Sequence, residues 1–329
     1  MPQAPAVIST WNVELPHGIT LSCRGTGTRG RPLLMFLHGF PEAAFVWDAL
    51  MQHFAQPEHG GFRCVAPNLR GYERSSSPPE VAAYRPRQLV QDIAALVAAE
   101  AGGAPLTALV AHDWGGAVAW NVAAEHPALL QRLVIINAPH PQTFARELRH
   151  SAAQQAASAY MNFLIRPDAE ALLAERDFAR LWPFFDSMGA SGVAALPAGQ
   201  PLPEGAGWMT EALRTQYRAV WTGDGARPGA GLTGALNYYR ASVLRPPREG
   251  DPGAAGVELP ADAFTVRVPT LVLWGLLDTA LGPALLDGLE RYVPDLTVQR
   301  LPGATHWVVH EQPEVVAAHI GAFVGVPKK

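Results

Sequence analysis

The stretch that decides the fold is Leu109-Val110-Ala111-His112-Asp113-Trp114-Gly115-Gly116. Apolar residues typical of a buried strand lead directly into a helical pattern. Ala111 and Gly115 are small enough to let the strand and the helix approach at a tight turn, which strains the backbone and projects the Asp113 side chain into a cleft. Aspartate is also common at the start of a helix, so this motif alone leaves a capping role for Asp113 open.

Strands and helices alternate on both sides of this motif. We predict strands at Val7–Glu14, Ile19–Arg24, Pro32–His38, Phe62–Pro67, Leu106–His112, Arg132–Asn137, Thr270–Gly275 and Leu296–Leu301. The predicted helices are Trp47–Phe54, Arg87–Ala101, Gly115–Glu125, Pro283–Tyr292 and Pro313–Val324. Continuous apolar runs indicate parallel strands covered on both faces, and the first two strands look antiparallel. We expect an α/β fold with a mostly parallel, eight-stranded sheet and helices on both faces.

The strand pattern disappears between about Pro139 and Asp262, where helical patterns alternate with segments rich in Gly, Pro and Ala. A structureless loop of this length is improbable inside a compact domain. We therefore predict a helical cap inserted after the sixth strand. The expected division is residues 1–138 for the first part of the core, 139–262 for the cap and 263–329 for the second part of the core.

Composition excludes several classes of function. Of the 329 residues, 48% are hydrophobic and 16% are charged, which suits a large core, and the net charge of -4 argues against nucleic-acid binding. Cys23 and Cys64 cannot form a disulfide framework and lack a metal-type spacing. We expect no signal peptide and no membrane span, because no apolar run of about 18 residues occurs. A cytoplasmic protein is the resulting expectation.

A second motif, His38-Gly39-Phe40-Pro41, directly follows an apolar strand. If Asp113 acts as a nucleophile, a turn of this type can supply one backbone N–H to an oxyanion, and the residue after Asp113 can supply another. Phe40 and Trp114 are therefore the predicted oxyanion donors. An ordinary glycine turn is the alternative interpretation of this motif.

Two further residues follow late strands. Asp278 ends Leu273-Trp274-Gly275-Leu276-Leu277-Asp278, and His306 lies in Gly303-Ala304-Thr305-His306-Trp307. Each could be a simple loop or turn residue when considered alone. The order nucleophile, acid, histidine, each at the carboxyl end of a strand, instead favours a triad in which Asp278 orients His306 as the general base.

An aspartate in the nucleophile position selects the chemistry. A carboxylate that attacks a carbonyl gives a reactive anhydride, whereas attack on a saturated carbon gives an ester that water can hydrolyse. The leaving group is then an epoxide oxygen, which needs an acid such as a phenol, or a halide, which needs N–H donors.

The motifs together resemble the epoxide hydrolases of the α/β-hydrolase superfamily, whose aspartate-nucleophile branch includes the haloalkane dehalogenases. The resemblance rests on His112–Gly116, His38–Glu42, Asn68–Tyr72, Trp274–Asp278 and Gly303–Trp307. It implies that water converts a small lipophilic epoxide to a vicinal diol through an ester on Asp113, without a cofactor or a metal. A role in detoxification and a homodimer are compatible with it.

The resemblance also implies two lid tyrosines. Leu236-Asn237-Tyr238-Tyr239-Arg240 matches the family's N-W/Y-Y-R pattern at Tyr239, and spacing before Arg166-Pro167 assigns the second role to Tyr160. Tyr238 and Tyr217 are the alternatives. Aromatic side chains also pack under a lid without any chemical role.

Two positions depart from the family's D-x-R-G-Y-G segment, which here has Asn68 and Glu73 in place of an aspartate and a glycine. This change concerns a supporting loop and removes no catalytic residue. The loops Gly189–Gly207 and Arg245–Ala261 are long, which leaves the shape of the pocket open.

Three tryptophans, Trp114, Trp182 and Trp208, are predicted to line an apolar pocket, although core packing would explain them equally well. The alternative enzyme is a haloalkane or haloacid dehalogenase, in which Trp114 and either Trp182 or Trp208 would donate to the halide. An inactive scaffold that binds a hydrophobic signal molecule is a third hypothesis, against which the set Asp113, Asp278 and His306 argues.

Overall fold

One eight-stranded sheet organises the molecule, a computed structural model that describes residues 6–185, 207–226, 228–260 and 262–326. The strands are β1 (Ser9–Glu14), β2 (Thr20–Thr26), β3 (Leu33–Leu37), β4 (Arg63–Pro67), β5 (Ala108–His112), β6 (Leu133–Ile136), β7 (Thr270–Gly275) and β8 (Leu296–Leu301). Their order is β1-β2-β4-β3-β5-β6-β7-β8. The β1–β2 and β2–β4 pairs are antiparallel and the other pairs are parallel, which confirms the predicted sheet.

The central strands are buried along their whole length because both faces of the sheet are covered. Leu33, Met35 and Leu37 of β3 point into one apolar cluster, whereas Leu34 and Phe36 point into the other. This alternation follows from the two-residue period of a strand. It explains why an uninterrupted apolar run marks a strand here.

The helices within the described residues fall into two groups. The first group packs on the sheet: α1 (Asp48–Phe54), α2 (Pro86–Ala101), α3 (Asp113–Glu125), α10 (Val308–Glu311) and α11 (Pro313–Val324). The second group lies between β6 and β7 in the sequence: α4 (Pro141–His150), α5 (Ala152–Ala157), α6 (Tyr160–Leu164), α7 (Ala169–Phe178), α8 (Glu211–Thr222) and α9 (Thr233–Ala241). The helical insertion after the sixth strand is therefore present.

One predicted helix is wrong. Pro283–Tyr292 contains two short 3-10 turns, Pro283–Leu286 and Leu289–Arg291, instead of one α-helix. Gly288 separates them with a φ of 76°, a left-handed conformation that glycine adopts readily and that interrupts helical hydrogen bonding.

The inserted helices lie over the carboxyl ends of the parallel strands. Three hydrogen bonds join them to loops that follow β3, β4 and β8, namely Trp221 Nε1 to Pro41 O, Tyr238 Oη to Arg70 O and Trp307 Nε1 to Phe184 O. Helix α9 comes so close to the loop after β4 that a Cβ on Gly234 would lie 2.3 Å from the Gly71 Cα. This arrangement covers the edge of the sheet at which β5 ends in Asp113.

The two long loops differ in how much of them the structure describes. Most of Gly189–Gly207 lies outside the described residues. The described part of the second loop, residues 245–260, contains one 3-10 turn, Gly253–Gly256. Across the described ranges, no helix combines the length and the apolar character needed to cross a membrane.

Candidate active site

The predicted strained turn is present between β5 and α3. Asp113 is buried, has a φ of 49°, and is the first residue of α3, whereas His112 occupies the capping position. A Cβ on Gly115 would lie 2.5 Å from the carbonyl oxygen of Leu37 on β3, so only glycine allows this close approach. The aspartate is therefore held in the left-handed region by packing around it and is not the N-cap of α3.

The carboxylate of Asp113 faces the two groups that the sequence predicts as its neighbours. Its Oδ1 accepts a hydrogen bond from the Phe40 backbone N–H at 2.7 Å, and its Oδ2 lies 3.6 Å from Nε2 of His306. The side chain lies directly against Gly39, where a Cβ would be 2.3 Å from the Asp113 Cβ. The glycine after His38 thus leaves the space that this carboxylate fills.

Asp278 and His306 form the predicted pair. Nδ1 of His306 lies 2.7 Å from Oδ2 of Asp278, and both side chains are buried. The other carboxylate oxygen of Asp278 accepts the backbone N–H groups of Ala280 and Leu281 at 2.8 and 2.9 Å. These bonds fix the position of the Asp278 carboxylate. Because a carboxylate can only accept, Nδ1 of His306 must carry a proton, and Nε2 is directed toward Asp113.

Asn137, at the end of β6, is a site residue that the sequence analysis missed. Its Nδ2 donates to Oδ2 of Asp278 at 2.7 Å, and its Oδ1 accepts the N–H of Gly275 at 3.0 Å. Its φ of 41° is one that asparagine tolerates better than most residues. The one sequence feature that could have identified Asn137 is its position as a polar residue at the carboxyl end of β6, the strand that neighbours β7 and the loop with Asp278.

Charge interactions dominate the acid–base properties of the site. Burial opposes the positive charge of His306, but the Asp278 and Asp113 carboxylates outweigh burial and raise the pKa of His306 to about 10. Burial likewise opposes ionisation of Asp113, yet His306 keeps the pKa of Asp113 below its usual value. The resting site therefore holds an aspartate–imidazolium pair. Nε2 of His306 has no hydrogen-bond partner within the described part of the chain.

Behind His306 lies a buried polar cluster that the sequence analysis also missed. Nε2 of His112 is 2.9 Å from the His306 carbonyl oxygen, and its Nδ1 is 3.3 Å from the Glu42 carboxylate. Glu42 also accepts from Tyr217 Oη at 3.0 Å and lies 2.6 Å from Nε2 of His310. Burial opposes the Glu42 charge, but His310 and His112 hold the pKa of this carboxyl below its usual range. The His112 side chain thus points away from Asp113, toward Glu42 and the His306 carbonyl.

Both predicted lid tyrosines face the cavity that contains Asp113. Tyr160 on α6 and Tyr239 on α9 have ring centroids 6.2 Å apart, and Tyr239 packs edge-on against Trp114 at 5.0 Å. Burial, followed by nearby groups that include Asp113, raises the pKa of both phenols well above 10, so they are neutral hydrogen-bond donors. Oη of Tyr239 is buried and has no hydrogen-bond partner among the described residues.

The two alternative tyrosines use their hydroxyls elsewhere. Tyr238 donates to the carbonyl of Arg70 at 2.9 Å, and Tyr217 donates to Glu42. Both bonds are buried and join the insertion to the core. Neither hydroxyl therefore has a proton free to donate to a molecule bound beside Asp113.

The cavity has a volume of about 820 Å³ and a mainly apolar lining, which includes Trp114. The structure does not bring Trp182 or Trp208 into it. Trp182 bonds through Nε1 to the carbonyl of Asp177 and packs on Trp221, with ring centroids 4.6 Å apart. Trp208 stacks on His310 at 4.2 Å. Packing, the alternative that the sequence left open, accounts for both tryptophans: Trp182 packs inside the insertion, and Trp208 packs between the insertion and the core.

The two departures from the family segment compensate each other. Glu73, which stands where the pattern has glycine, has a φ of 48°. Its carboxylate accepts Nδ2 of Asn68 at 2.7 Å, while Oδ1 of Asn68 accepts the N–H of Ala44 at 2.8 Å. An aspartate at position 68 would repel Glu73, whereas the Asn68 amide donates a hydrogen bond to it. Glu73 is therefore compatible with asparagine at position 68 and not with aspartate.

Cys23 and Cys64 are buried and unpaired with each other. Burial is the main cause that raises the pKa of the Cys23 thiol to about 12, which keeps it protonated. In the ranges that the structure describes, no three or more His, Cys, Asp or Glu side chains are grouped so that they could hold a metal ion.

The family model for the alpha/beta hydrolase fold matches residues 32–313 of the chain. Epoxide hydrolase 4 of Mus musculus is 30% identical over 311 residues, which cover 93% of this chain and 77% of that protein. A structure described under novel epoxide hydrolases in metagenomes from hot environments is 36% identical, with a TM-score of 0.79 and coverage of 97% of this chain and 99% of its own.

A variant of an epoxide hydrolase from Bacillus megaterium, solved in complex with its product (R)-3-[1]naphthyloxy-propane-1,2-diol, is also similar. Its TM-score is 0.78 at 29% identity, with coverage of 95% of this chain and 99% of that chain. The two structural matches extend over nearly the whole chain. The chain belongs to the alpha/beta-hydrolase family, in its epoxide hydrolase branch.

Proposed function

We propose that this protein is an epoxide hydrolase that adds water to a small lipophilic epoxide and releases a vicinal diol. The observation that carries the proposal is the placement of the Asp113 carboxylate and the phenols of Tyr160 and Tyr239 in one apolar cavity. A nucleophile and an acid are the two groups that opening of an epoxide needs. The names of the relatives support the same reaction.

In the first step, an Asp113 oxygen attacks the less hindered epoxide carbon, and the bond between that carbon and the ring oxygen breaks. Tyr160 and Tyr239 hydrogen-bond the ring oxygen, and one phenol transfers its proton to it. The raised pKa values keep both phenols protonated until charge develops on that oxygen. The result is a hydroxyalkyl ester on Asp113 and one phenolate.

Formation of the ester prepares His306 for the second step. The ester is uncharged, so one of the two carboxylates that raise the pKa of His306 is lost. The imidazolium then gives up its proton more readily, and this proton returns through solvent to the phenolate, which restores the phenol. His306 becomes a neutral base only after the substrate has reacted, so the base is available only when the ester is present.

In the second step, Nε2 of His306 takes a proton from water, which attacks the carbonyl carbon of the ester. Asp278 stabilises the imidazolium that forms, through its bond to Nδ1. The oxyanion is stabilised by the backbone N–H groups of Phe40 and Trp114, of which the Phe40 N–H already bonds to Asp113. Collapse of this intermediate breaks the bond between the carbonyl carbon and the alkyl oxygen. That oxygen takes up the remaining proton of the added water, so the diol leaves and the aspartate–imidazolium pair is restored.

The proposal divides the chain into three functional parts. Residues 1–138 and 263–329 form the core, which supplies the nucleophile Asp113, the base His306 and the carboxylate of Asp278 that orients this base. Residues 139–262 form a cap, which supplies Tyr160 and Tyr239 from above. The substrate would therefore react at the boundary between cap and core, as is common for binding sites between structural units.

Trapping the ester tests the proposal. His306→Gln should allow the first step and block the second, so that the peptide containing Asp113 gains the mass of the epoxide. Asp113→Asn in the same assay is the matched control and should gain no mass. A panel of styrene-type, fatty-acid and small aliphatic oxides supplies the substrates, and wild-type protein that forms no diol from any of them contradicts the proposal.

The origin of the oxygen atom gives an independent test. A single turnover in heavy-oxygen water should place the label in the Asp113 carboxylate, because the oxygen transferred to the first diol comes from the enzyme. Label that appears directly in the first diol means that water attacks the epoxide itself, which would refute the ester mechanism.

Dehalogenation is less well supported. The indole of Trp114 lies in the cavity wall beside Asp113, but the second predicted donors, Trp182 and Trp208, do not line this cavity. Replacing both Tyr160 and Tyr239 by phenylalanine should abolish epoxide opening. Retained release of halide from haloalkanes, with no diol from any epoxide, would favour the dehalogenase.

A further inference from the structure

Helix α3 forms one long wall of the cavity. Asp113, Trp114, Ala117, Val118 and Asn121 line the cavity from this helix, at the spacing of a single helical face. Asn121 follows Asp113 by eight residues, so the wall extends for about 12 Å at about 1.5 Å per residue. A substrate that reacts at Asp113 can therefore lie along α3.

Among the residues that line the cavity from this helix, Asn121 is the one beyond Asp113 whose side chain carries a hydrogen-bond acceptor. Its Nδ2 donates to the Ala117 carbonyl at 2.7 Å, one turn earlier in the helix. Because a carbonyl can only accept, this bond identifies which end of the amide is nitrogen. Asn121 is half-buried, and its Oδ1 accepts no hydrogen bond from a described residue, so this oxygen is free to accept one.

We propose that Asn121 is a specificity-determining residue that accepts a hydrogen bond from the far end of an elongated substrate. The substrate class is a lipophilic terminal epoxide with a hydroxyl or amide N–H at most about 12 Å from the reacting carbon, since this distance is the rise of α3 from Asp113 to Asn121 and the Asn121 amide folds back toward Ala117. The volume of about 820 Å³ accommodates such a molecule. This inference rests on the proposed function, since it identifies the substrate of the same site.

A free acceptor on an apolar wall distinguishes donors from other groups. A hydroxyl can complete the bond that Oδ1 lacks, whereas a methyl end gains only contact with the wall. The preference that Oδ1 confers is therefore for a hydroxyl end over an alkyl end of the chain.

A homologous series of terminal epoxides with either a methyl or a hydroxyl end tests the inference. For the long hydroxyl substrate, Asn121→Leu should lower kcat/KM about five-fold, the effect of one neutral hydrogen bond. Short epoxides, which do not reach position 121, and methyl-ended epoxides should show no comparable loss. Asn12→Leu, on the exposed edge strand β1, is the matched control. Equal losses on short and long substrates would mean a structural role and overturn the proposal.

Calorimetric binding of the corresponding long diol and triol separates this inference from the proposed reaction. The triol should bind about five-fold more tightly than the diol to wild-type protein and equally to Asn121→Leu. If no epoxide is hydrolysed but this difference is found, the proposed function fails and the ligand assignment stands. If epoxides are hydrolysed and the triol shows no dependence on Asn121, the inference is wrong.

Discussion

Asn137 connects the ends of two neighbouring strands and shares one oxygen of Asp278 with His306. Asn137→Ala removes a buried hydrogen bond to a carboxylate and leaves the N–H of Gly275 without its acceptor. We expect the free energy of unfolding in urea to fall by about 2 to 4 kcal/mol and ester hydrolysis to slow.

The left-handed backbone at Asn137 provides the control for this variant. Asn137→Gly removes the same side chain but accepts the φ of 41° without strain. Its ester hydrolysis should be as slow as that of Asn137→Ala, while its loss of stability should be smaller. Normal hydrolysis in both variants would show that the amide does not position Asp278.

The pH dependence of stability follows from His306. Its pKa in the folded protein, about 10, lies above the ordinary value of 6.5. A raised pKa means that the folded state holds the proton more tightly, so this contribution to stability is complete below pH 6.5 and is lost as the pH rises through 10.

Urea unfolding between pH 6.5 and 10 measures this contribution. The free energy of unfolding of the wild-type protein should fall more steeply across this range than that of His306→Gln. Asp113→Asn should shift the loss to lower pH, because it removes one of the two carboxylates. Identical pH dependence in wild type and His306→Gln would rule out the aspartate–imidazolium pair.

The residues with roles in the site differ in how visible they are in the sequence. Asp113, Asp278 and His306 were predictable because each ends a strand and their order is informative. Asn137 and Glu42 were not, since a single polar residue carries no periodic pattern and its partners are distant in sequence. Trp182 and Trp208 were misplaced because a tryptophan packs in a core as readily as it lines a pocket.

At the level of elements, β3, β5 and α3 meet at one crowded point. A Cβ at Gly115 would lie 2.5 and 2.6 Å from the carbonyl oxygens of Leu37 and His38, which are backbone atoms that cannot yield. Gly115→Ala should therefore cost at least about 3 kcal/mol of unfolding free energy and displace Asp113.

Gly321 provides the matched control for Gly115→Ala. It lies inside helix α11, where the nearest atoms to a Cβ would be 3.7 to 3.9 Å away. Gly321→Ala should be neutral or stabilise the protein by about 1 kcal/mol, because alanine is the better helix former. Equal destabilisation by both alanines in urea unfolding would contradict the argument from close contact.

Most elements could be predicted because the apolar runs of a covered parallel sheet differ from the periodicity of its helices. The exception, Pro283–Tyr292, has helical residue types, but Gly288 adopts a left-handed conformation that the pattern does not reveal. Within the insertion, only its helical character was predictable, because its helices pack on loops far away in the sequence.

At the level of the whole molecule, the buried polar cluster around Glu42 contains side chains from both the insertion and the core. Tyr217 on α8 donates its hydroxyl to this buried carboxylate, while His112 connects Glu42 to the His306 carbonyl. Tyr217→Phe leaves the carboxylate short of one partner and should lower the free energy of unfolding by about 1 to 3 kcal/mol.

Tyr292→Phe is the control, because the Tyr292 ring stacks on His140 and its hydroxyl makes no hydrogen bond to a described residue. This control should change stability by less than about 0.5 kcal/mol in urea unfolding. Faster amide hydrogen exchange in α8 of Tyr217→Phe would show that the bond also fastens the insertion. A Tyr217→Phe protein as stable as wild type would mean that the bond contributes nothing.

The mainly apolar walls around Asp113 bear on turnover as well as on binding. An epoxide has one weak acceptor oxygen, whereas a diol has two hydroxyl groups that lose their hydration when they enter such walls. The diol should therefore bind in this cavity more weakly than the epoxide does. Hydration of its hydroxyl groups favours release of the diol into solvent, so accumulated diol should compete only weakly with the epoxide.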